Sequence, residues 1–192
     1  MSEKKRGYDR TIRYMVSHDM DWYFQYKGYI FHCASNGGII SKDCRKITRL
    51  NLMRRKIESM SLILNDDELY INEEHIEKVV KRQLEVWEKI SESTPDLVAW
   101  FNPGLVRELY LSSFIAKAKR GLIAWDRLYK EDEAHDKNAI ADTYVLVAAP
   151  KEDALQKIKD DSDYQIILEE SVDISKDIKM RDDNKEFTII VN

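Results

Sequence analysis

Two aromatic runs joined by a glycine turn constrain the fold of this chain more than any other feature of its sequence. Residues 22–31, WYFQYKGYIF, hold six aromatic side chains, and Lys27-Gly28 separates the two runs. Glycine in the second position of a two-residue loop suits a type I′ hairpin, in which Tyr26 pairs with Tyr29. Strand alternation then places Trp22, Phe24, Tyr26, Tyr29, Phe31 and Cys33 on one face. We predict that this face is buried, because it is too apolar to meet water.

Helical and strand patterns follow one another along the chain without strict alternation. Apolar residues recur at spacings of three and four in three long segments, which is typical of amphipathic helices. These helices are predicted over 41–60 with Ser41 as N-cap, over 73–90 with Asn72 as N-cap, and over 105–120. Besides the hairpin, strands are predicted at 61–64, 69–71, 122–129, 142–150, 164–174 and 186–192, and a short helix at 151–160. The pattern predicts an α+β protein with a mainly antiparallel sheet and about three main helices.

The predicted elements are interpreted as one domain that spans residues 1–192. A chain of 192 residues with 43% hydrophobic residues is long enough and apolar enough to bury one ordinary core. Residues 1–7, MSEKKRG, are predicted to be a flexible tail. The polar, proline-containing stretch 91–96 marks the one sub-boundary that the sequence indicates.

The apolar segments and the cysteines indicate where such a chain resides. No apolar run approaches the roughly 20 residues that a membrane-spanning helix needs. The basic N-terminal segment is not followed by the apolar stretch and small-residue cleavage site of a secretory signal. Cys33 and Cys44 are the only cysteines, so a disulfide framework is not expected. We therefore expect a cytoplasmic protein without a membrane partner.

Charge is divided unequally along the chain. Residues 1–56 carry 13 Lys and Arg against 5 Asp and Glu, whereas residues 57–192 carry 18 against 30. The basic part either docks on the acidic remainder of the same chain or meets an external polyanion such as a nucleic acid.

The basic residues concentrate in the predicted helix 41–60. The candidate nucleic-acid-binding residues are Lys42, Arg45, Lys46, Arg49 and Lys56. On a helix, the first four form a contiguous patch that Lys56 extends. We expect pairing with acidic residues, among them Glu73, Glu74 and Glu77, or plain solvation rather than phosphate binding, because the chain supplies ample acid of its own.

The sequence contains four metal-ligating side chains near its N-terminus, and we predict that they hold no metal. These residues are His18, His32, Cys33 and Cys44. Adjacent strand residues point to opposite faces, so His32 and Cys33 do not easily share one ion. The spacings C-x-x-C and H-x-x-x-H, which anchor zinc sites, are also absent. No cofactor is expected.

Sequence motifs do not identify catalytic residues. The patterns G-x-S-x-G, G-x-x-x-x-G-K-[ST] and G-x-G-x-x-G are absent. Cys44 lies near a predicted helix start with basic flanks, which predicts a somewhat lowered thiol pKa. His135 lies in the charged segment 130–141, which is either an active-site lid or, as we expect, a solvated loop.

Three function classes stay open. The first is a non-catalytic binding or accessory protein that acts through protein contacts, since catalytic motifs are lacking. The second is a nucleic-acid-associated protein that uses the basic face of residues 42–56. The third is an enzyme whose site is assembled from distant residues, and a deep polar pocket holding His32 or His135 would indicate it. The sequence does not specify a ligand or an oligomeric state.

Overall fold

The computed structural model describes residues 19–36, 40–44, 46–91, 102–128 and 143–189. The α-helices are α1 (Ile47–Ser59), α2 (Glu73–Ser91), α3 (Pro103–Ala118), α4 (Leu155–Lys159) and α5 (Ser162–Glu170). The strands are β1 (Asp21–Tyr26), β2 (Tyr29–Ala34), β3 (Leu69–Ile71), β4 (Ile123–Arg127), β5 (Thr143–Pro150), β6 (Ile178–Met180) and β7 (Glu186–Ile189).

The strands form one mixed sheet in the order β1-β2-β4-β5-β7-β6, with β3 also paired to β5. The α+β class is therefore confirmed. The expectation of a mainly antiparallel sheet is imprecise, because β2 and β4 pair in parallel. Between them the chain passes through α1, β3, α2 and α3, and a parallel pair needs such a long crossover. The expectation of about three main helices is also imprecise, because α4 and α5 are added to them.

The hairpin of β1 and β2 has the predicted register. Tyr26 pairs with Tyr29, and Phe24 pairs with Phe31. Lys27 and Gly28 have φ values of 49° and 80°, and a type I′ turn requires positive φ at both of these positions.

The sheet curls strongly, and the aromatic face of the hairpin lies inside the curl. β7 is four places away from β1, which in a flat sheet would separate them by about 19 Å. Yet the ring centroids of Phe24 on β1 and Phe187 on β7 are 6.0 Å apart. Trp22 and Phe24 are 0% exposed and Phe31 is 3% exposed, so the predicted burial of this face is confirmed.

The segment that leads from α5 to β6 joins the two edges of the curled sheet. The Gln25 N–H on β1 donates to the Val172 carbonyl at 2.7 Å, and Gln25 also forms an isolated parallel bridge with Asp173. A few residues later, β6 pairs with β7. One stretch of chain therefore contacts the first strand of the sheet and forms its last.

The outer face of the sheet packs against the helices in a second core. This core includes Tyr23, Ile30, Ile57, Leu111, Phe114, Ala124, Val147, Ile158 and Tyr164. The Tyr164 hydroxyl accepts a hydrogen bond from the Ile30 N–H at 2.9 Å, which ties α5 to the hairpin. The part of the chain described here has no helix with both the length and the apolar content needed to cross a membrane.

The prediction of a strand over 164–174 is wrong, because most of this segment forms helix α5. The Asp161 carboxylate caps the helix by accepting the Tyr164 N–H at 2.8 Å. Tyr164 and Ile167 are buried and Leu168 is partly buried, which is helical spacing against the outer core. A short apolar run fits a strand and a buried helix equally well, so periodicity alone did not separate them.

Of the two predicted helix caps, Asn72 is confirmed and Ser41 is wrong. The Asn72 side chain accepts the His75 N–H at 3.3 Å and caps α2 as predicted. Ser41 does not cap α1, because residues Lys42–Cys44 form a 3₁₀ turn and α1 begins at Ile47. The Ser41 hydroxyl instead donates to the Asp177 carboxylate at 3.3 Å.

Replacing Phe31 with alanine should lower the free energy of unfolding by about 3–5 kcal/mol, since it empties the centre of the aromatic interior. The Phe31 ring lies 5.2 Å from Phe24 and 5.4 Å from Trp125, centroid to centroid. Urea unfolding measures the change, and Leu109→Ala, at a side chain that is 61% exposed, is the control. Equal, small effects of both substitutions would show that the interior is not packed in this way.

Candidate functional site

A cleft of about 830 Å³ opens between helix α2 and the carboxyl end of strand β4. One wall is a face of α2 that runs from His75 to Trp87. The opposite wall consists of Tyr110 on α3, residues 126–128, and Asn36 after β2. The volume lies within the range of roughly 300–1,000 Å³ that is typical of small-molecule sites.

Three side chains form a hydrogen-bonded chain in the wall of this cleft. The Tyr110 hydroxyl donates to Asp126 Oδ2 at 2.8 Å, and His75 Nε2 lies 3.0 Å from the same hydroxyl oxygen. Because the tyrosine proton points to the carboxylate, the Nε2–H of His75 donates to the phenol oxygen. Asp126 is 8% exposed and His75 is 9% exposed, so the chain is buried along most of its length.

Each member of the chain is fixed by the element that carries it. His75 lies in the first turn of α2, whose start is held because the Asn72 amide donates to the Leu146 carbonyl of β5 at 2.8 Å. Asp126 lies on β4 between Ala34 of β2 and Val145 of β5. A strand paired on both sides is rigid, so the carboxylate is presented to the cleft from a fixed backbone.

Burial determines the protonation of the chain. It raises the pKa of the Asp126 carboxyl to about 6, although hydrogen bonds from Tyr110 and the Arg127 backbone act in the opposite direction. Burial and the adjacent Asp126 charge raise the pKa of Tyr110, whereas burial and the nearby Lys78 lower the pKa of His75. At neutral pH the chain therefore holds a carboxylate, a phenol and a neutral imidazole.

The mouth of the cleft is predominantly basic. Its charged residues are Lys78, Lys81, Arg82, Glu85 and Arg127. Lys78 pairs with Glu74 at 2.7 Å and Lys81 with Glu85 at 4.0 Å. Such exposed pairs contribute little free energy, so an incoming anion can replace them.

Apolar side chains complete the walls beside these charges. Val79, Val86 and Trp87 lie on α2, and Leu128 follows β4. Val86 is 48% exposed, so its side chain is accessible from the cleft. The cleft thus combines apolar walls, a basic mouth and a few buried polar groups, which is the usual composition of a ligand site.

The nucleic-acid-binding residues predicted from the sequence lie on and before α1 and do not line this cleft. The Arg49 guanidinium donates to the Glu170 carbonyl at 2.7 Å, and Lys56 binds the Glu170 carboxylate. Lys42 and Lys46 are exposed and form no ion pair with any of the residues described. Arg45 lies outside the described residues.

Two of the acidic partners expected for that patch, Glu73 and Glu74, bind other cations. Glu73 binds Arg107 at 2.6 Å, and Glu74 binds Lys78. The patch therefore contacts the C-terminal end of α5 rather than the first turns of α2.

Two of the side chains considered as metal ligands, His32 and Cys33, lie on opposite faces of β2, as strand alternation predicts. Cys33 is buried in the aromatic interior, whereas His32 Nε2 lies 2.9 Å from Asp21 Oδ1. The prediction of a lowered pKa for Cys44 is wrong, because burial raises the pKa of this thiol to about 12. Within the described ranges, no three His, Cys, Asp or Glu side chains are grouped so that they could hold a metal ion. His18 and His135 lie outside those ranges.

Sequence reasoning missed His75, Tyr110 and Asp126. They lie on α2, α3 and β4, and no local spacing relates them. The one available signal was Asp126, a carboxylate within the otherwise apolar strand segment LIAWDRLY. A charged residue in a buried strand needs a partner and therefore indicates either a site or a structural ion pair.

Replacing Asp126 with asparagine should make the protein lose part of the pH dependence of its stability. The folded-state pKa of about 6 lies above the reference value of 3.8, so protonation stabilises the fold as pH falls. Between pH 7.5 and pH 4.5, wild type should therefore gain about 2 kcal/mol relative to Asp126→Asn. Urea unfolding of both proteins at both pH values measures this gain, with the exposed Asp182→Asn as control. A constant difference between wild type and Asp126→Asn would contradict the burial of this carboxyl.

Comparisons of the chain with protein-family models, with curated proteins and with solved structures give no match.

Proposed function

We propose that this protein is a small-molecule binding protein whose ligand occupies the cleft between α2 and β4. The observation that carries the proposal is the buried chain of His75, Tyr110 and Asp126 in the wall of a cleft of about 830 Å³. Titratable groups with perturbed pKa values that converge on a cleft are typical of functional sites.

The free energy of the fold supports the same inference. Burying a carboxylate costs several kcal/mol, and its hydrogen bonds recover only part of that cost. An apolar residue at position 126 would suit a strand paired on both sides better than aspartate does. Sequences depart from the most stable choice chiefly at functional sites, so the presence of aspartate at position 126 supports a role for it in the cleft.

This proposal keeps the hypothesis of a binding protein and changes the expected partner from a protein to a small molecule. Catalysis in the same cleft is the alternative, and its support is the same carboxyl, which titrates unusually close to neutrality. We favour binding because Asp126 and Tyr110 are hydrogen-bonded to each other, which suits a fixed arrangement of charge.

A variant that fills the cleft provides the test. Val86→Trp places an indole in the cleft from an exposed position on α2, and Lys89→Trp adds the same group on the same helix outside it. We expect fragments from a small-molecule library to shift the backbone amide resonances of α2 and β4 in wild type and in Lys89→Trp, but not in Val86→Trp. Fragment binding that Val86→Trp leaves unchanged, or no shifts in these elements with any fragment, would refute the proposal.

Nucleic-acid binding is the second candidate, and one observation favours it. Lys42 and Lys46 are exposed and without an ion-pair partner in the ranges that the structure covers. Against it, Arg49 and Lys56 already bind Glu170, which leaves fewer cations for phosphates. We therefore infer that any association with nucleic acid is weak.

Titration with single-stranded and duplex nucleic acid at low and moderate salt tests this inference. We expect an affinity weaker than about 1 μM at moderate, near-physiological salt, in the range of nonspecific association. Sub-micromolar binding would reverse the ranking of the two candidates if it falls with salt by a slope of about −0.7 to −0.9 per contact. The double variant Lys42→Glu, Lys46→Glu should then abolish it, whereas Lys176→Glu, Lys179→Glu should not.

A further inference from the structure

We propose that the ligand of the cleft is an amphiphilic organic anion, a compact apolar or aromatic body with one acidic group, and that it binds together with a proton taken up by the His75–Tyr110–Asp126 chain. This inference rests on the proposed function and specifies the chemistry of the same site.

The basic mouth selects the charge of the ligand. Four basic side chains and Glu85 line it, and the Lys78 and Lys81 pairs that partly neutralise it lie on the exposed surface of α2. Exposed pairs between residues four apart contribute little free energy. A carboxylate, sulfonate or phosphate of the ligand can therefore displace them and remain near the mouth.

The apolar walls select the body of the ligand. Val79, Val86 and Trp87 come from one face of α2, and Leu128 lies on the opposite side. The indole of Trp87 is part of this wall, and the burial of apolar area against it favours binding. A purely inorganic anion would leave these side chains in contact with water, so an organic body is favoured.

The expected uptake of a proton on binding follows from the Asp126 carboxylate in the wall of the cleft. An anion that enters the cleft brings a second negative charge close to Asp126, and like charges favour the protonated form of such a carboxyl. Protonation of His75 would help in the same direction, because it adds positive charge to the cleft. Whichever group accepts the proton, the net charge that faces the anion becomes more positive.

The surrounding charges modify this coupling but do not reverse it. Asp19 ahead of β1 and Glu186 on β7 favour a proton on the chain, whereas Lys78 on α2 disfavours one on His75. Arg82 of α2 and Arg127 of β4 also line the cleft, and both keep contacts within the protein, so they contribute positive charge to its surroundings. By reciprocity, an anion that promotes proton uptake must bind more tightly as pH falls.

A matched pair of fluorescent probes tests the inference directly. The probe 8-anilinonaphthalene-1-sulfonate carries a sulfonate that stays ionised between pH 5 and pH 8, so any pH dependence of its binding comes from the protein. N-phenyl-1-naphthylamine has the same aromatic body without the charge. Titrations of both probes at pH 5 and pH 8 give dissociation constants, and the Val86→Trp variant shows whether the probe occupies the cleft.

We expect the sulfonate probe to bind about tenfold more tightly at pH 5 than at pH 8, which corresponds to a rise of about one unit in the pKa of the chain on binding. The neutral probe should bind more weakly and with little pH dependence. Asp126→Asn with His75→Gln should bind the sulfonate probe equally at both pH values, and the single variants show which group takes the proton.

Three results would overturn the inference. Equal affinity of the sulfonate probe at the two pH values would show that its binding is not coupled to the uptake of a proton. Equal affinity of the two probes would show that the cleft does not require a negative charge on its ligand. Failure of the sulfonate probe to occupy the cleft would remove the ligand class, and the proposed function would still stand if uncharged fragments bind there and Val86→Trp abolishes their binding.

Discussion

Packing of aromatic rings inside the curled sheet is the constraint on which the rest of this structure depends. Phe187 on β7 lies 6.0 Å from Phe24 on β1 and 4.8 Å from Trp125 on β4, ring centroid to centroid, so strands four and two places apart in the sheet order share one interior. Because side chains fill this interior, polar groups that must meet a ligand belong on the other face. Strand alternation directs adjacent residues of β4 to opposite faces of the sheet. Trp125 packs into the interior, and the next residue, Asp126, hydrogen-bonds to Tyr110 of α3.

The sheet therefore fixes the position of the site, and the helices that cover the sheet contribute His75, Tyr110 and the apolar and basic side chains. Asn72 links the start of α2 to β5, which sets His75 opposite the end of β4. Tyr110 on α3 then lies between the imidazole and the carboxylate. The apolar and basic side chains of α2 complete the cleft. The proposed binding and proton uptake therefore both involve one face of α2 and the carboxyl end of β4.

The sequence predicts what is local and misses what is assembled over long distances. The register of the hairpin follows from its turn and its alternation, and the cap of α2 follows from Asn72. By contrast, the apolar run in α5 fits two kinds of element, and the parallel pairing of β2 with β4 depends on segments almost 90 residues apart. The candidate site has the same origin, since His75, Tyr110 and Asp126 meet only through tertiary packing, and a single carboxylate in an apolar strand was the sole local signal.

The titration of the Asp126 carboxyl carbon by NMR tests the central claim most directly, because it reports on the burial of this group and on its bond to Tyr110 without any ligand. The account predicts a midpoint near pH 6, and a further rise in Tyr110→Phe, which removes a hydrogen bond that favours the carboxylate. A midpoint near 4, unchanged by Tyr110→Phe, would be that of an ordinary solvated aspartate. Such a result would contradict the buried chain and the cleft chemistry that follows from it.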